Sequence, residues 1–364
     1  EQRLGFDWVA AYNCSHDYFD IGYHENEKGP VGFGCWAPEG ETDLATGFIE
    51  RHLKESPGRP FALFLGWGPP HWPYDRYPDE FKLYDPQQMG LAPNVPPQFA
   101  DFARRELADY YGNVSGLDAQ VGRLLAKLDE LGIAGNTILC FSSDHGDHLW
   151  SHGYGKPMDR WLHCSKRASK ATPYEESIHI PFIARYPQAI PAGRRTDVLT
   201  SSVDAMPTLL SLSGLEVPAG VQGTDLAWAA RGEEGTGPDS VFLQILGDGW
   251  PHRSRDCHRR DGGGGGIGNR WVGFWRAVRD ERWVYARWHG DQYGPWLFDR
   301  REDPYESKNL AALPEYASQL QKMEARLEKW LAETGDPFDT GERHPETGEL
   351  LVGQEYISDR WRLK

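Results

Sequence analysis

The residues best placed to do chemistry are Asp144 and His145, in the run I-L-C-F-S-S-D-H-G-D-H-L-W-S-H-G-Y-G-K from Ile138 to Lys156. A carboxylate beside an imidazole offers a divalent cation one oxygen and one nitrogen ligand without bending the chain between them. Gly146 follows and leaves the backbone free to turn sharply. The Ser-Ser-Asp run is also good helix N-cap chemistry, so a turn that holds no metal fits these residues as well.

Elements must bring these groups to one place. Ile138 to Phe141 is a short apolar run with β-branched and aromatic residues, which predicts a strand buried on both faces in a mostly parallel sheet. In open α/β sheets the ligand site lies just beyond the carboxyl ends of the strands, where Asp144 and His145 stand. Pro60 to Trp67 (P-F-A-L-F-L-G-W) predicts a second strand, ending in G-P-P-H-W-P-Y. Prolines on both sides of His71 fix the backbone there and hold one imidazole in a preset loop.

Helical spacing marks Thr42 to Glu55, with Thr42 or Asp43 as cap. It marks Ala100 to Leu131 more clearly, where apolar residues from Leu107 to Leu128 recur at threes and fours until Gly132 and Gly135 stop them. Residues up to Phe48 have no clear period and read as irregular, and Tyr74 to Phe99 reads as a surface loop. Asp118, in the middle of a helix, is structural, and Asp204 caps the helix that carries M-P-T-L-L-S-L.

Beyond a polar linker at 233–238, the runs V-F-L-Q-I-L, W-V-G-F-W-R-A-V-R and R-W-V-Y-A-R-W predict antiparallel strands, which an amphipathic helix from Leu313 to Leu331 would cover. The expected architecture is an α/β domain over 1–235 with a mostly parallel central sheet flanked by helices, then a small α+β subdomain over 240–335 and a polar tail over 336–364. Arg253, Arg255, Arg259 and Arg260 form a local basic cluster, read as a solvated loop or, as the minority reading, a clamp for an anionic substrate.

Composition narrows the function classes. Hydrophobic content of 39% and charged content of 26% over 364 residues describe a globular chain with ample core. A net charge of -15 argues against broad nucleic-acid binding, and no apolar run approaches the length of a membrane span. Fifteen Trp and sixteen Tyr supply flat faces that suit sugar rings, although most such residues fill cores. Five cysteines without a C-x-x-C pair indicate neither a disulfide scaffold nor a zinc site.

The combination S-D-H-G-D-x-L-x-x-H-G with K-x-x-P-Y-E-E-S-I-x-I-P-F-I-x-R-Y-P resembles the type I sulfatases of the alkaline phosphatase superfamily. The P-P-H-x-P-Y segment, the Y-Y-G-N-V-S-x-L-D helix and L-F-D-R-R-E-D-P-Y-E-S-K-N-L near the end resemble the same family. The resemblance implies that Asp144 and His145 are metal ligands and that a lysine before P-Y-E-E holds the sulfate. Lys170 has the downstream spacing and is favoured; Lys156, after His152 and Gly153, has the upstream spacing, and Pro157 to Ser169 looks like an insertion between them. His152 and Lys156 are thus substrate-binding candidates, and His71 would assist departure of the alcohol as hydrogen-bond donor or general acid.

The family expectation is hydrolysis of sulfate esters, carbohydrate sulfates among them, with a calcium ion; manganese and magnesium are also compatible with an Asp-His pair. In this family a cysteine or serine in C/S-x-P-S/A-R becomes formylglycine, whose hydrate attacks sulfur. None of the five cysteines here opens such a motif, and paired aspartates of a first strand find no match. The expectation is a chain corresponding to the part C-terminal to the nucleophile motif, with formylglycine upstream of Glu1 and no turnover by the chain alone. A phosphodiesterase or phosphonate monoester hydrolase of the same superfamily, and a binding protein that keeps the fold without catalysis, are the alternatives.

Overall fold

A computed structural model describes residues 5–12, 15–26, 28–153, 170, 172–245, 275–288 and 294–339. The chain forms two compact units: Glu1–Leu91 with Ala100–Thr137 and Tyr186–Gln188, and Ala92–Phe99 with Ile138–Arg185 and Ala189–Lys364. The basic cluster at 253–260, Lys156 and the tail beyond 339 lie outside the described residues.

In the first unit, part of the stretch expected to be irregular is an antiparallel meander of β1 (Ala10–Tyr12), β2 (Gly22–Glu25) and β3 (Lys28–Gly32). Helix α1 (Ala37–Glu55) then begins ahead of Thr42. Pro38 sits in its first turn, where the missing N–H costs nothing, and the Thr42 hydroxyl donates to the Pro38 carbonyl at 2.6 Å inside the helix rather than capping it. Helix α2 (Ala100–Glu130) is the predicted long helix, and Asp118 is exposed on it.

The buried line of α2 is smaller and more polar than its apolar periodicity suggests. Gly112, Asn113, Gly116 and Gln120 are buried, while Tyr111 and Val114 are exposed. Two glycines one turn apart let aromatic rings lie on the helix backbone: a Cβ at Gly112 would come within 2.4 Å of the Tyr77 ring, and one at Gly116 within 2.7 Å of Trp36. Trp36, Tyr18, Tyr77, Ile21 and Leu117 form the core of this unit.

The predicted strand at Pro60 to Trp67 is extended but joins no sheet among the described residues. Its residues alternate, with Phe61, Leu63, Leu65 and Trp67 half-buried and Ala62, Phe64 and Gly66 exposed. That is the side-chain period of a strand, but no described neighbour completes a ladder with it.

In the second unit, β4 (Leu139–Ser142) pairs with β5 (Phe182–Arg185), and β6 (Val241–Ile245), β7 (Trp275–Arg279), β8 (Trp283–Trp288) and β9 (Trp296–Asp299) form a four-stranded meander in sequence order. Every pairing among the described residues is antiparallel, which corrects the expectation of a mostly parallel sheet. For β4 and β5 the reason is local. The Gly146 N–H donates to the Ser177 carbonyl at 2.9 Å, so the segment leaving β4 lies against the segment entering β5, and the two strands run in opposite directions. Nor is β4 covered on both faces, since Cys140 and Ser142 are exposed.

The remaining helices of the second unit are α3 (Glu175–Ile178), α4 (Ala205–Leu212), α5 (Ala227–Arg231) and α6 (Ala317–Thr334). Helix α6 covers the meander as expected, burying Met323, Leu327 and Leu331 against Val278, Tyr285 and Leu297. Asp204 holds the entry to α4: its carboxylate accepts from the Ser201 N–H at 2.7 Å and the Thr224 N–H at 2.6 Å.

Candidate functional site

The site starts where β4 ends. The Ser143 hydroxyl donates to the His145 carbonyl at 2.7 Å, and the His145 N–H donates to Asp144 Oδ1 at 2.9 Å, which sets the turn. His145 Nδ1 lies 2.7 Å from the Gly146 carbonyl, an acceptor only, so this nitrogen carries the proton and Nε2 presents its lone pair. Asp144 Oδ2 is 3.4 Å from that Nε2, and the Lys170 ammonium is 3.2 Å from it. Three of the predicted residues therefore meet within one hydrogen-bond shell.

Donor types and spacing suit neighbouring ligands on one divalent cation, with an anionic oxygen and a neutral imidazole nitrogen facing the same space. No group of three or more His, Cys, Asp or Glu side chains suited to a metal occurs among the described residues. The chain's own residues do not fit formylglycine, because no cysteine opens a C-x-P-x-R motif.

Beneath this exposed group lies a buried support. Gly146 is required here by close approach, since a Cβ would fall 2.1 Å from the Glu176 carbonyl oxygen. His148 is buried, with Nδ1 donating to the Ser151 carbonyl at 3.2 Å and Nε2 accepting from the Thr172 hydroxyl at 2.7 Å. Burial pushes its pKa down to about 4, which keeps the ring neutral. Leu149, Trp150 and His152 all have positive φ, at 44°, 75° and 56°, so this loop is held in a conformation its side chains disfavour. Trp150 stacks on Phe99 at 4.9 Å.

His152 faces this support. Its ring stacks on Tyr174 at 3.7 Å and 9°, its N–H donates to the Asn94 carbonyl at 3.0 Å, and its Nε2 is 3.7 Å from Glu176. The Asn94 amide donates to Glu176 at 2.6 Å and reaches the Tyr305 carbonyl at 3.0 Å. Burial opposes ionisation of Glu176, but hydrogen bonds from His152 and Asn94 outweigh it and bring its pKa down to about 2.

Glu175 is the charged anchor of α3. Arg279 Nε donates to it at 2.7 Å, Arg300 Nη2 at 2.6 Å, and His179 lies at 3.4 Å. Burial raises its pKa, yet these partners hold it below the ordinary value. Its backbone N–H donates to Glu306 at 2.9 Å. Glu306 is 2% exposed, and burial, with Glu175 and Glu176 nearby, pushes its carboxyl up to about 8.

His71 belongs to the first unit. Its Nδ1 is 2.7 Å from the Trp72 carbonyl and so carries the proton, the Tyr18 hydroxyl donates to its carbonyl at 3.0 Å, and His16 stacks on the ring at 4.6 Å. Of the supporting residues, Asn94 and Thr172 carry no motif of their own, although prolines fix the loop A-P-N-V-P-P around Asn94, whereas Glu306 lies in the D-P-Y-E segment that resembles the family, with no role implied there.

Residues 1–215 match the family described as Sulfatase. The chain is 31% identical over 345 residues to an ulvan-active sulfatase of Formosa agariphila, an alignment covering 93% of this chain and 60% of that protein. It is 28% identical over 361 residues to an endo-4-O-sulfatase of Bacteroides thetaiotaomicron, covering 93% of this chain and 65% of the relative. The chain thus spans less than two thirds of the length of either. Among solved structures, yidJ of Bacteroides fragilis superposes with a TM-score of 0.75 at 26% identity, over 93% of this chain and 68% of that one.

Proposed function

The chain belongs to the sulfatase family, and from that premise we propose that it serves the hydrolysis of sulfate esters on carbohydrate. The observation that carries the reading is the meeting of Asp144 Oδ2, His145 Nε2 and Lys170 Nζ at the end of β4. Relatives named for ulvan and for endo-4-O-sulfate support a sulfated glycan as the substrate. Asp144 and His145 would hold a divalent cation, calcium by family expectation, whose charge would stabilise the sulfate oxygens.

Lys170 is the residue we assign to sulfate. Its ammonium donates to His145 Nε2, and a small swing of Nζ exchanges that acceptor for a sulfate oxygen. The bond from His145 Nδ1 to the Gly146 carbonyl keeps the other nitrogen lone pair turned toward the site. His152, stacked on Tyr174, would line the substrate side. Lys156 keeps the alternative sulfate role that its spacing implies.

His71 keeps the leaving-group role on its motif alone. Because Nδ1 is committed to the Trp72 carbonyl, Nε2 can donate to an alcohol oxygen only in the imidazolium form. The test is calorimetric binding of calcium, and then of sulfated oligosaccharides, an aryl sulfate and phosphate diesters, because a chain without the nucleophile motif is expected to turn nothing over. Calcium-dependent binding of a sulfate ester that Lys170→Ala abolishes supports the reading. Tighter binding of the phosphate diesters, or no binding of any of these ligands, overturns it.

A further inference from the structure

The meander sends one side chain into the support of the site. Glu306 follows β9 in the D-P-Y-E segment, is 2% exposed and has a positive φ of 49°. A non-glycine residue in the left-handed region persists where its surroundings demand it. Here the demand is a hydrogen bond: Glu306 Oε2 accepts the N–H of Glu175 at 2.9 Å, at the first residue of α3. The other oxygen, Oε1, is buried without a partner among the described residues.

From α3 the connection runs to the candidate ligands through backbone alone. Ser177, two residues after Glu175, accepts the Gly146 N–H at 2.9 Å, and Gly146 packs so closely on the Glu176 carbonyl that a single Cβ would collide. The carbonyl of Gly146 in turn fixes the His145 ring. Each link is a bond to a backbone group, so a shift of α3 moves the turn that carries Asp144 and His145.

We propose that Glu306 is a positioning residue for the reaction, which sets the height of α3 and through Ser177 and Gly146 the orientation of His145 and Asp144. This inference rests on the sulfatase reading for its purpose but not for its test. Glu175 and Glu176 from α3, Tyr174 before it, and Arg300 after β9 are the titratable and charged groups around the Glu306 carboxyl. Ionisation there places a third carboxylate beside two others in a buried volume, which weakens the support as pH rises past about 8.

The experiment compares wild type, Glu306→Gln and Glu306→Ala by amide hydrogen exchange at Gly146, with the buried β7 residue Ala277 as reference for global opening. Glutamine retains an acceptor for the Glu175 N–H and cannot ionise; alanine leaves that N–H unbonded. Expected is exchange at Gly146 roughly tenfold faster in Glu306→Ala after correction by Ala277, a factor on the scale of a lost buried hydrogen bond, and near wild type in Glu306→Gln. Wild type loses Gly146 protection beyond the ordinary rise of exchange with pH above about 8, whereas Glu306→Gln does not.

Where sulfate esters are turned over, kcat/KM follows the same order, with Glu306→Ala lower by roughly 10- to 100-fold and the alkaline limb moved in Glu306→Gln. Equal Gly146 exchange in wild type and Glu306→Ala overturns the proposal, as does a change fully matched at Ala277. A wild type that binds no sulfate ester with calcium present overturns the sulfatase reading and leaves the exchange result to decide this one.

Discussion

The turn after β4 and the layer beneath it are built on opposite terms. The Asp144 side chain is 83% exposed and His145 a third exposed, and they are held by short local bonds. Glu175, Glu306 and His148 are buried and held across long stretches of sequence by Arg279, Arg300, Thr172 and the backbone of α3. Groups proposed to meet a ligand must stay open to it, so on that reading their aim has to come from somewhere else. The buried layer supplies that aim, with charges paired and strained backbone locked in place.

Substitution separates the two layers. Where a sulfate ester is turned over, Asp144→Ala or Lys170→Ala lowers kcat/KM by roughly 10²- to 10³-fold. Asp144→Ala leaves unfolding within about 0.5 kcal/mol of wild type, because the Asp144 side chain is 83% exposed. A large loss of stability in that variant would break the division. Gly146→Ala strikes the joint between the layers and should lose both: its Cβ meets the Glu176 carbonyl, for a cost of about 1–3 kcal/mol in denaturant unfolding together with reduced turnover.

Glu176 tests the buried layer by pH. Its folded pKa, about 2, lies below the ordinary 4.5, so its stabilising contribution is complete above the unfolded value and is lost as pH falls from 4.5 toward 2. Glu176→Gln removes that contribution, on the order of 2 kcal/mol, and flattens the acid limb of a pH series of thermal melts. An unchanged acid limb would mean that the carboxylate is not held as the geometry implies.

The smallest effects lie in α2, in the first unit, and calibrate the others. Gly116→Ala drives a methyl into the Trp36 ring and destabilises, whereas Gly122→Ala meets nothing within 4 Å and gains about 0.5–1 kcal/mol of helix propensity. Thermal melts of the pair read both signs, and neither should alter catalysis.

The same split governs what could be read in the sequence. Asp144, His145 and Lys170 are legible because a motif fixes residue types at short spacing, and the structure brings them together. The long helix and the final meander are legible from periodicity. Asn94 and Thr172 are not, and Glu306 is legible only as part of the D-P-Y-E segment and not in its role, because each works through a partner distant in the chain, and no local spacing encodes such a bond. Strand direction is not legible for a similar reason: an apolar run marks a strand but not its neighbour, and the bond from Gly146 to Ser177 decides that β5 returns beside β4. In α2 the apolar count pointed to leucines and tyrosines, while two glycines made room for Trp36 and Tyr77.

The extended segment from Pro60 to Trp67 has a practical side. Phe64 is 78% exposed at its centre, on a backbone already stretched as a ladder partner requires. The expected consequence is recruitment of other chains, edge against edge, as concentration rises, so that solubility rather than folding limits how the protein can be handled. A lysine in place of Phe64 would place a charge at that edge and keep concentrated samples monodisperse in light scattering.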